Sequence, residues 1–91
     1  MRVIGGKFKG KKLIEPKDKE TRPLKDLTKE SIFNIINHSN KFSINIKKAQ
    51  VLDLFSGVGS FGIECLSQGA SHVTFIEKYE AVLPILKKNL N

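Results

Sequence analysis

Two acidic residues and a glycine-rich turn are the parts of this 91-residue sequence that could bind a ligand. Asp53 interrupts an apolar run and precedes the pattern G-x-G-x-x-G, whose glycines are Gly57, Gly59 and Gly62. Glycine lets a backbone turn sharply and approach a ligand closely, because it has no Cβ. Glu77 follows 20 residues after Gly57, a spacing typical of an acid that accepts hydrogen bonds from ribose hydroxyls. The pattern therefore predicts a site for an adenosine-containing cofactor.

The charge of Asp53 discriminates between the cofactors that such a loop could hold. In dinucleotide enzymes the loop and the following helix bind a pyrophosphate, which a nearby carboxylate would repel. S-adenosylmethionine carries a sulfonium and an ammonium instead, and a buried carboxylate that pairs with a ligand cation is tolerable. The sequence thus favours S-adenosylmethionine over NAD, while Asp53 could also cap backbone amides of the loop. A P-loop is excluded because no Lys-Ser or Lys-Thr pair follows the glycines. A plain tight turn, with Glu77 as an ordinary strand-end acid, stays open.

Hydrophobic patterning predicts the elements that position these residues. The run VLDLF, residues 51–55, is typical of a parallel strand covered on both faces. A second strand is predicted over HVTFIEK, residues 72–78, which is rich in β-branched and aromatic residues. Helices are predicted over residues 59–68, ending at Gly69, and over residues 79–91. This order gives a βαβα unit of an α/β fold.

The first part of the chain is predicted to be a small hairpin, an exposed loop and a helix. Apolar pairs at Val3–Ile4 and Leu13–Ile14 surround a stretch of glycine and lysine, which indicates a hairpin. Residues 15–26 are polar and contain two prolines, as expected of an extended loop. Asp26 suits the N-cap of a helix whose inward face carries three isoleucines: Ile32, Ile35 and Ile36.

Charge divides the chain into two regions. Residues 1–50 hold 13 basic and 5 acidic side chains, whereas residues 51–91 hold 3 and 4. Fourteen of the 16 basic residues are lysines, which suit sequence-independent contact with phosphates. A solvated, solubilising surface is the other explanation. We divide the chain into residues 1–25, a basic hairpin and loop, and residues 26–91, the beginning of an α/β domain.

Composition predicts a cytoplasmic protein without a membrane span. No apolar run approaches the roughly 20 residues that cross a bilayer, and the basic N-terminus lacks the apolar segment of a secretory signal. Cys65 is the only cysteine, so no internal disulfide forms, which fits a reducing compartment. Its surroundings, IECLSQGA, indicate a small residue packed on a helix more than a nucleophile. No metal site is predicted.

The sequence resembles a known family. VLDLFSGVGSFGIECLSQGASHVTFIEK is similar to the first two cofactor motifs of Rossmann-like class I methyltransferases. The whole chain resembles the bacterial family that methylates the exocyclic N2 of a guanine in small-subunit ribosomal RNA. Three further stretches carry this resemblance: MRVIGGKFKGKKL, TRPLKDLTKESIFNII and KKNL. It implies ribosomal RNA, free or in a partly assembled small subunit, as the partner.

The resemblance also implies roles for individual residues. The methionine end of the cofactor would be lined by Asp53, Phe55, Gly57 and Gly59, and Glu77 would hold the ribose. A segment closing over the cofactor would include Arg22, Pro23, Glu30, Phe33 and Asn34. The RNA side would carry Lys7, Lys9, Lys11 and Lys12.

Two departures from the family pattern shape the expected activity. The stretch LKDLTK lacks the threonine after proline and the arginine before glutamate, where this chain has Lys29. The family transfers methyl through an (Asn/Asp)-Pro-Pro-aromatic motif that binds the target amine and stacks on a base released from its helix. No two of the chain's three prolines are adjacent, so no residue is predicted to be catalytic. We expect the chain, incomplete at Asn91, to be the cofactor-binding half of an enzyme and inactive alone.

Two other function classes stay open from the sequence. One is a fragment of an NAD(P)-binding oxidoreductase, and the other is a non-catalytic RNA-binding module in which the glycine loop is only a turn. Two parallel strands would also leave bare sheet edges. We therefore expect the isolated chain to be partly unfolded or self-associating.

Overall fold

A computed structural model describes residues 1–15, 26–38 and 45–91 of the chain. The predicted βαβα order is confirmed, preceded by one helix and a short turn. The elements in chain order are a 3₁₀ turn at Gly6–Phe8, α1 at Asp26–His38, β1 at Gln50–Leu54, α2 at Ser60–Ser67, β2 at His72–Ile76 and α3 at Leu83–Asn89.

The two strands pair in parallel and end at the same edge of the sheet. Asp53 lies opposite Phe75 in the register, and β1 and β2 finish together at Leu54 and Ile76. The amide of Ser56 donates to the carbonyl of Ile76 at 2.9 Å, so the pairing continues past the end of β1. The glycine turn and the segment after β2 therefore leave the sheet side by side.

Helix α2 packs on one face of this sheet, and Gly62 makes the close approach possible. A Cβ at Gly62 would overlap the Phe75 ring and would lie 2.9 Å from Cγ1 of Val73. One turn further on, Cys65 is buried with Phe33 of α1. The third glycine of the motif therefore serves helix–strand packing, and Cys65 packs in the core as its flanking residues indicated.

The described residues leave the other face of the sheet exposed, so the expectation of a strand covered on both faces is wrong. Leu52, Leu54 and Ile76 are 59%, 56% and 48% exposed. The reason is that α1 and α2 both contribute to the core on the side of Val51 and Val73. The apolar side chains of β1 would suit cover on both faces, and the described residues cover one.

The N-terminal hairpin is shorter than expected but present. One antiparallel bridge joins Arg2 and Lys12, with the 3₁₀ turn between them. The side chains of Val3 and Leu13 are buried against Ile63 of α2. Gly6 and Gly10 have left-handed φ angles, which favour a turn over long strands. Val3 and Leu13 pack this segment against the domain core.

Helix α1 buries a different stripe from the one predicted. Its buried residues are Lys29 and Phe33, and the ring of Phe33 lies 5.1 Å from that of Phe61 between centroids. Ile35 is exposed, which corrects the prediction of an inward face through the three isoleucines. Lys29 can occupy a buried position because its ammonium pairs with the buried carboxylate of Glu64 on α2.

Helix α3 begins at Leu83, and Pro84 falls in its first turn. The backbone amides of that turn have no partner within the helix, so proline costs little there. Leu86 is buried and faces the glycine turn.

Some predictions fall outside the described residues. The exposed loop predicted over residues 15–26 lies there except at its two ends, as do Arg22 and Pro23. The proposed boundary between residues 25 and 26 therefore stays a prediction. Among the residues that the structure describes, no helix has the length and apolar character needed to cross a membrane.

Candidate functional site

The glycine turn between β1 and α2 adopts a succession of left-handed backbone conformations. Phe55, Gly57 and Gly59 have φ angles of 57°, 56° and 92°. At Gly59 the space is closed as well, because an added Cβ would lie 2.6 Å from Cδ1 of Leu86. A side chain at this position would meet both backbone strain and a steric clash. The loop thus turns within a few residues and leads directly into α2.

Asp53 is a buried carboxylate directly behind this loop. Its side chain is 9% exposed, and Oδ2 accepts the amide hydrogen of Gly62 at 3.1 Å. Gly62 is the third residue of α2, and the residue before the helix, Gly59, supplies no side-chain cap. Asp53 therefore caps α2 from the neighbouring strand, where the positive end of the helix dipole stabilises an anion.

The environment of Asp53 nevertheless disfavours its charge. Burial raises the pKa of Asp53; the Gly62 hydrogen bond opposes this shift and the charge of Glu77 adds to it. In the described part of the chain, no lysine, arginine or histidine forms an ion pair with Asp53. Among the described residues, the Asp53 carboxylate thus has one hydrogen bond and no paired cation.

Glu77 joins the glycine loop to the end of β2. Oε1 accepts the amide hydrogen of Gly57 at 2.7 Å, and Oε2 accepts that of Tyr79 at 2.8 Å. The amide of Tyr79 lowers the pKa of Glu77, burial opposes the shift, and the amide of Gly57 lowers it further. Each carboxylate oxygen can accept a second hydrogen bond, so Glu77 can hold the loop and still receive ligand hydroxyls.

Phe55 projects from the start of the loop. It is 89% exposed despite its aromatic side chain. A left-handed φ is uncommon for a bulky residue and marks a place where surrounding structure imposes the conformation. Here the pairing of Ser56 with Ile76 fixes the chain directly after it. An exposed aromatic side chain thereby stands two residues from both Asp53 and Gly57 in the sequence, where a ligand could contact it.

The predicted loop and strand residues lie around one edge of the sheet: Glu77 is bonded to Gly57, and Asp53 is bonded to Gly62 at the start of α2. Phe55 and Gly59 adjoin them in sequence. Asn34 is elsewhere. It lines a cavity of about 630 Å³ whose lining also includes Gly5, Lys47 and Gln68 and none of the glycine-loop residues. Arg22 lies outside the described residues. The structure therefore brings the predicted residues between 51 and 77 to one edge of the sheet and places Asn34 at a different cavity.

The four predicted RNA-binding lysines are exposed on the N-terminal segment. The ammonium of Lys7 lies 5.1 Å from the centroid of the Phe8 ring. Lys11 donates to the backbone carbonyl of Asn89 at 3.2 Å, at the negative end of α3. Lys9 lines a small surface cavity with Glu30, and Lys12 forms the bridge with Arg2.

A buried ion pair was not predicted from the sequence. Nζ of Lys29 lies 3.2 Å from Oε1 of Glu64, and both side chains are fully buried. Lys29 also donates to the carbonyl of Arg2 at 2.6 Å and to Oγ of Ser60 at 3.1 Å. Its three ammonium hydrogens each have an acceptor. The signal in the sequence was weak: a lysine four residues before Phe33 on the same helical face.

Glu64 completes this network. Its carboxylate accepts the amide hydrogens of Ile4 and Gly5 at 2.8 and 2.9 Å and the side-chain amide of Gln68 at 2.7 Å. The pair therefore attaches the N-terminal segment to the first two turns of α2. This fastening places the exposed lysines at a fixed position relative to the glycine loop.

The described residues do not favour a nucleophilic cysteine or a metal site. Burial, together with the charges of Asp53 and Glu64, raises the pKa of Cys65 to about 12, so its thiol stays protonated. A protonated buried thiol is a poor nucleophile. Across the residues that the structure describes, no group of three or more His, Cys, Asp or Glu side chains could hold a metal ion.

The fold and the site define a Rossmann-like α/β unit with a glycine loop, an aspartate near the end of β1 and a glutamate directly after β2. The family model described as "Conserved hypothetical protein 95" matches residues 1–91. The chain belongs to this family.

Curated relatives support the resemblance found in the sequence. The Escherichia coli K12 protein named ribosomal RNA small subunit methyltransferase D is 40% identical over 90 residues, 99% of this chain and 42% of the relative. Its Haemophilus influenzae namesake is 39% identical over 90 residues, 99% of this chain and 44% of the relative. The predicted similarity to bacterial small-subunit ribosomal RNA methyltransferases is confirmed.

Solved structures agree in fold. The Escherichia coli protein yhhF, named as a proposed methyltransferase, superposes with a TM-score of 0.79 at 38% identity over 99% of this chain and 44% of its own. A hypothetical protein from Thermus thermophilus gives 0.77 at 27% identity over 99% of this chain and 48% of its own. The predicted α/β, partial Rossmann-like class is confirmed. The chain spans somewhat less than half the length of these relatives.

Proposed function

We propose that this chain supplies the cofactor-binding half of an S-adenosylmethionine-dependent methyltransferase that acts on the exocyclic N2 of a guanine in small-subunit ribosomal RNA. The observation that carries this proposal is the buried carboxylate of Asp53, which has one hydrogen bond and no paired cation among residues 1–15, 26–38 and 45–91. The names of the relatives supply the class of reaction and of substrate.

The electrostatics of Asp53 favour a cationic ligand. A buried carboxylate without a counter-charge is costly, and an approaching ammonium removes that cost. The methionine moiety of the cofactor carries an ammonium and a sulfonium, and the exposed ring of Phe55 offers an apolar and π surface to the same end of the ligand. Glu77, directly after β2 and beside the glycine loop, would receive the ribose hydroxyls.

The same contacts weigh against a dinucleotide. A pyrophosphate would bind the free amides at the N-terminus of α2, but the amide of Gly62 is already occupied by the carboxylate of Asp53. A diphosphate there would face a buried negative charge at short range. The NAD alternative is therefore the weaker one.

The substrate would approach from the basic side. The exposed lysines of residues 7–12 suit a polyanion, since phosphate contacts need charge and not base-specific geometry. The residues that would bind the target amine and stack on the flipped guanine are not among these 91, so we expect no methyl transfer by this chain alone. Ribosomal RNA as substrate makes the cytoplasm the expected compartment.

Calorimetric titration with S-adenosylhomocysteine tests this function, because the product keeps the ammonium and the ribose. We expect the wild-type chain to bind and Asp53→Asn to bind at least about tenfold more weakly, since a charge-assisted contact is lost. Glu15→Gln is the matched control, because it removes one carboxylate from an exposed site away from the loop. Equal affinities of wild type and Asp53→Asn, or tighter binding of NADH than of S-adenosylhomocysteine, would overturn the proposal.

A further inference from the structure

Asn89, near the end of α3, has a buried side chain that binds two distant parts of the chain. It is 3% exposed. Nδ2 donates to the carbonyl of Val58 at 2.9 Å and to that of Ile14 at 3.1 Å. Oδ1 accepts the amide hydrogen of Ile14 at 2.8 Å. One side chain thus contacts the backbone of the glycine loop and the backbone of the N-terminal segment.

The chemistry of these contacts requires an amide. Asn89 pairs with both the N–H and the C=O of Ile14, as a neighbouring β-strand would, and it uses its remaining hydrogen for Val58. A carboxylate at this position would keep the acceptor but would place negative charge against two carbonyl oxygens. An apolar side chain would leave the buried carbonyl of Val58 and the part-buried N–H and C=O of Ile14 without this partner.

The contact with Val58 supports the loop where it has little support of its own. Val58 lies between Gly57 and Gly59, both left-handed. Within the loop the amide of Gly59 donates to the carbonyl of Ser56 at 2.9 Å. Glu77 holds the amide of Gly57 from the sheet, and Asn89 holds the carbonyl of the next residue from α3. The loop is fixed from two sides.

Through its contact with Ile14, Asn89 also holds the basic N-terminal segment in place. Ile14 follows the lysines at 11 and 12, and Lys11 itself donates to the backbone carbonyl of Asn89. Asn89 therefore contacts the loop and the basic segment at the same time.

We infer that Asn89 is a positioning residue, which fixes the glycine loop in its ligand-binding conformation and holds the basic N-terminal segment at a set position beside it. The inference rests on the proposed function in so far as the ligand of the loop is S-adenosylmethionine. The positioning itself is a property of the folded chain and has a readout without ligand.

The experiment compares Asn89→Asp with Val3→Ala in the 91-residue chain. Asn89→Asp keeps an acceptor for Ile14 but loses the donor to Val58, whereas Val3→Ala loosens the N-terminal segment without touching the loop. Two quantities are measured at conditions where each variant is fully folded: the affinity for S-adenosylhomocysteine and the exchange rate of the Gly59 amide. If Asn89→Asp does not fold, Asn89→Ser replaces it, because a serine is too short to reach Val58.

We expect the Asn89 variant to bind S-adenosylhomocysteine about tenfold more weakly than wild type and to exchange the Gly59 amide about tenfold faster. Val3→Ala should change neither by more than about twofold. Equal effects of the two variants, or unchanged Gly59 exchange in the Asn89 variant, would overturn the inference. If the wild-type chain binds no S-adenosylhomocysteine, the proposed function fails, and the exchange comparison alone decides the role of Asn89.

Discussion

Two buried carboxylates, Glu64 and Asp53, lie on the same side of the sheet and differ in how their charge is compensated. Glu64 faces the ammonium of Lys29 and accepts three further hydrogen bonds. Asp53 accepts one, from Gly62, and no cation pairs with it in the described part of the chain. A fully compensated charge stabilises a particular structure, whereas an uncompensated one is costly unless a ligand completes it. The contrast separates a structural acid from a candidate binding acid.

The largest expected effect comes from breaking the compensated pair. Lys29→Met leaves Glu64 buried without its cation, and such a loss typically costs about 3–5 kcal/mol. We expect the free energy of unfolding, measured by urea denaturation, to fall by about this amount. Lys29→Arg is the matched control, because it keeps a positive charge beside Glu64. Wild-type stability in Lys29→Met would show that Glu64 does not need its partner and would remove the contrast.

Substitution of Asp53 is expected to change the free energy of unfolding less, and not to lower it. Because its carboxylate is disfavoured in the folded state, Asp53→Asn should leave the protein at least as stable as wild type at pH 7 while ligand affinity falls. The amide oxygen can still accept from Gly62. Chemical denaturation of both proteins checks this, and a clear loss of stability in Asp53→Asn would mean that Asp53 is structural in the same sense as Glu64.

The direction of the Asp53 pKa shift predicts how the stability difference between Asp53→Asn and wild type depends on pH. The pKa of Asp53 is raised above 3.8 in the folded protein, so folding favours proton uptake there. The stability advantage of Asp53→Asn should therefore shrink as the pH falls through the folded pKa of Asp53.

The pKa of Glu77 shifts in the other direction, because it is lowered below 4.5 in the folded protein. The Glu77 carboxylate should therefore stabilise the fold relative to Glu77→Gln above pH 4.5, and this stabilisation should be lost as the pH falls through the folded pKa of Glu77. Denaturation curves at pH 7, 5 and 3.5 test both directions.

The smallest change in stability is expected for Leu54→Lys, a substitution that tests whether the chain self-associates through the exposed face of the sheet. Leu54→Lys places a charge on the uncovered face of the sheet, where a substitution on an exposed side chain typically changes stability by less than about 0.5 kcal/mol. We expect the folded wild-type chain to self-associate through this face and Leu54→Lys to sediment as a smaller species. A monomeric wild-type chain with a sharp cooperative melt would contradict this expectation.

Local patterns were sufficient to predict the glycine turn, both strands and the place of Asp53 and Glu77 at the sheet edge. These features depend on residues close in sequence, such as the run from Val51 to Gly62. Glu64 and Asn89 could not be predicted, because their partners lie up to 75 residues away and no periodicity records such contacts. Lys29 was missed for a related reason: a lysine on a helix is normally solvated, and only the fold supplies its acceptors.

The face that carries Leu52 and Leu54 has a consequence for how a purified sample behaves. Side chains alternate along a strand, so Asp53 points away from that face, toward α2. Two molecules that join through their leucines would still present both glycine turns to solvent. Oligomers of this chain should accordingly titrate with the same ligand stoichiometry per subunit as single molecules, and a fraction collected early from a sizing column is worth assaying before it is discarded.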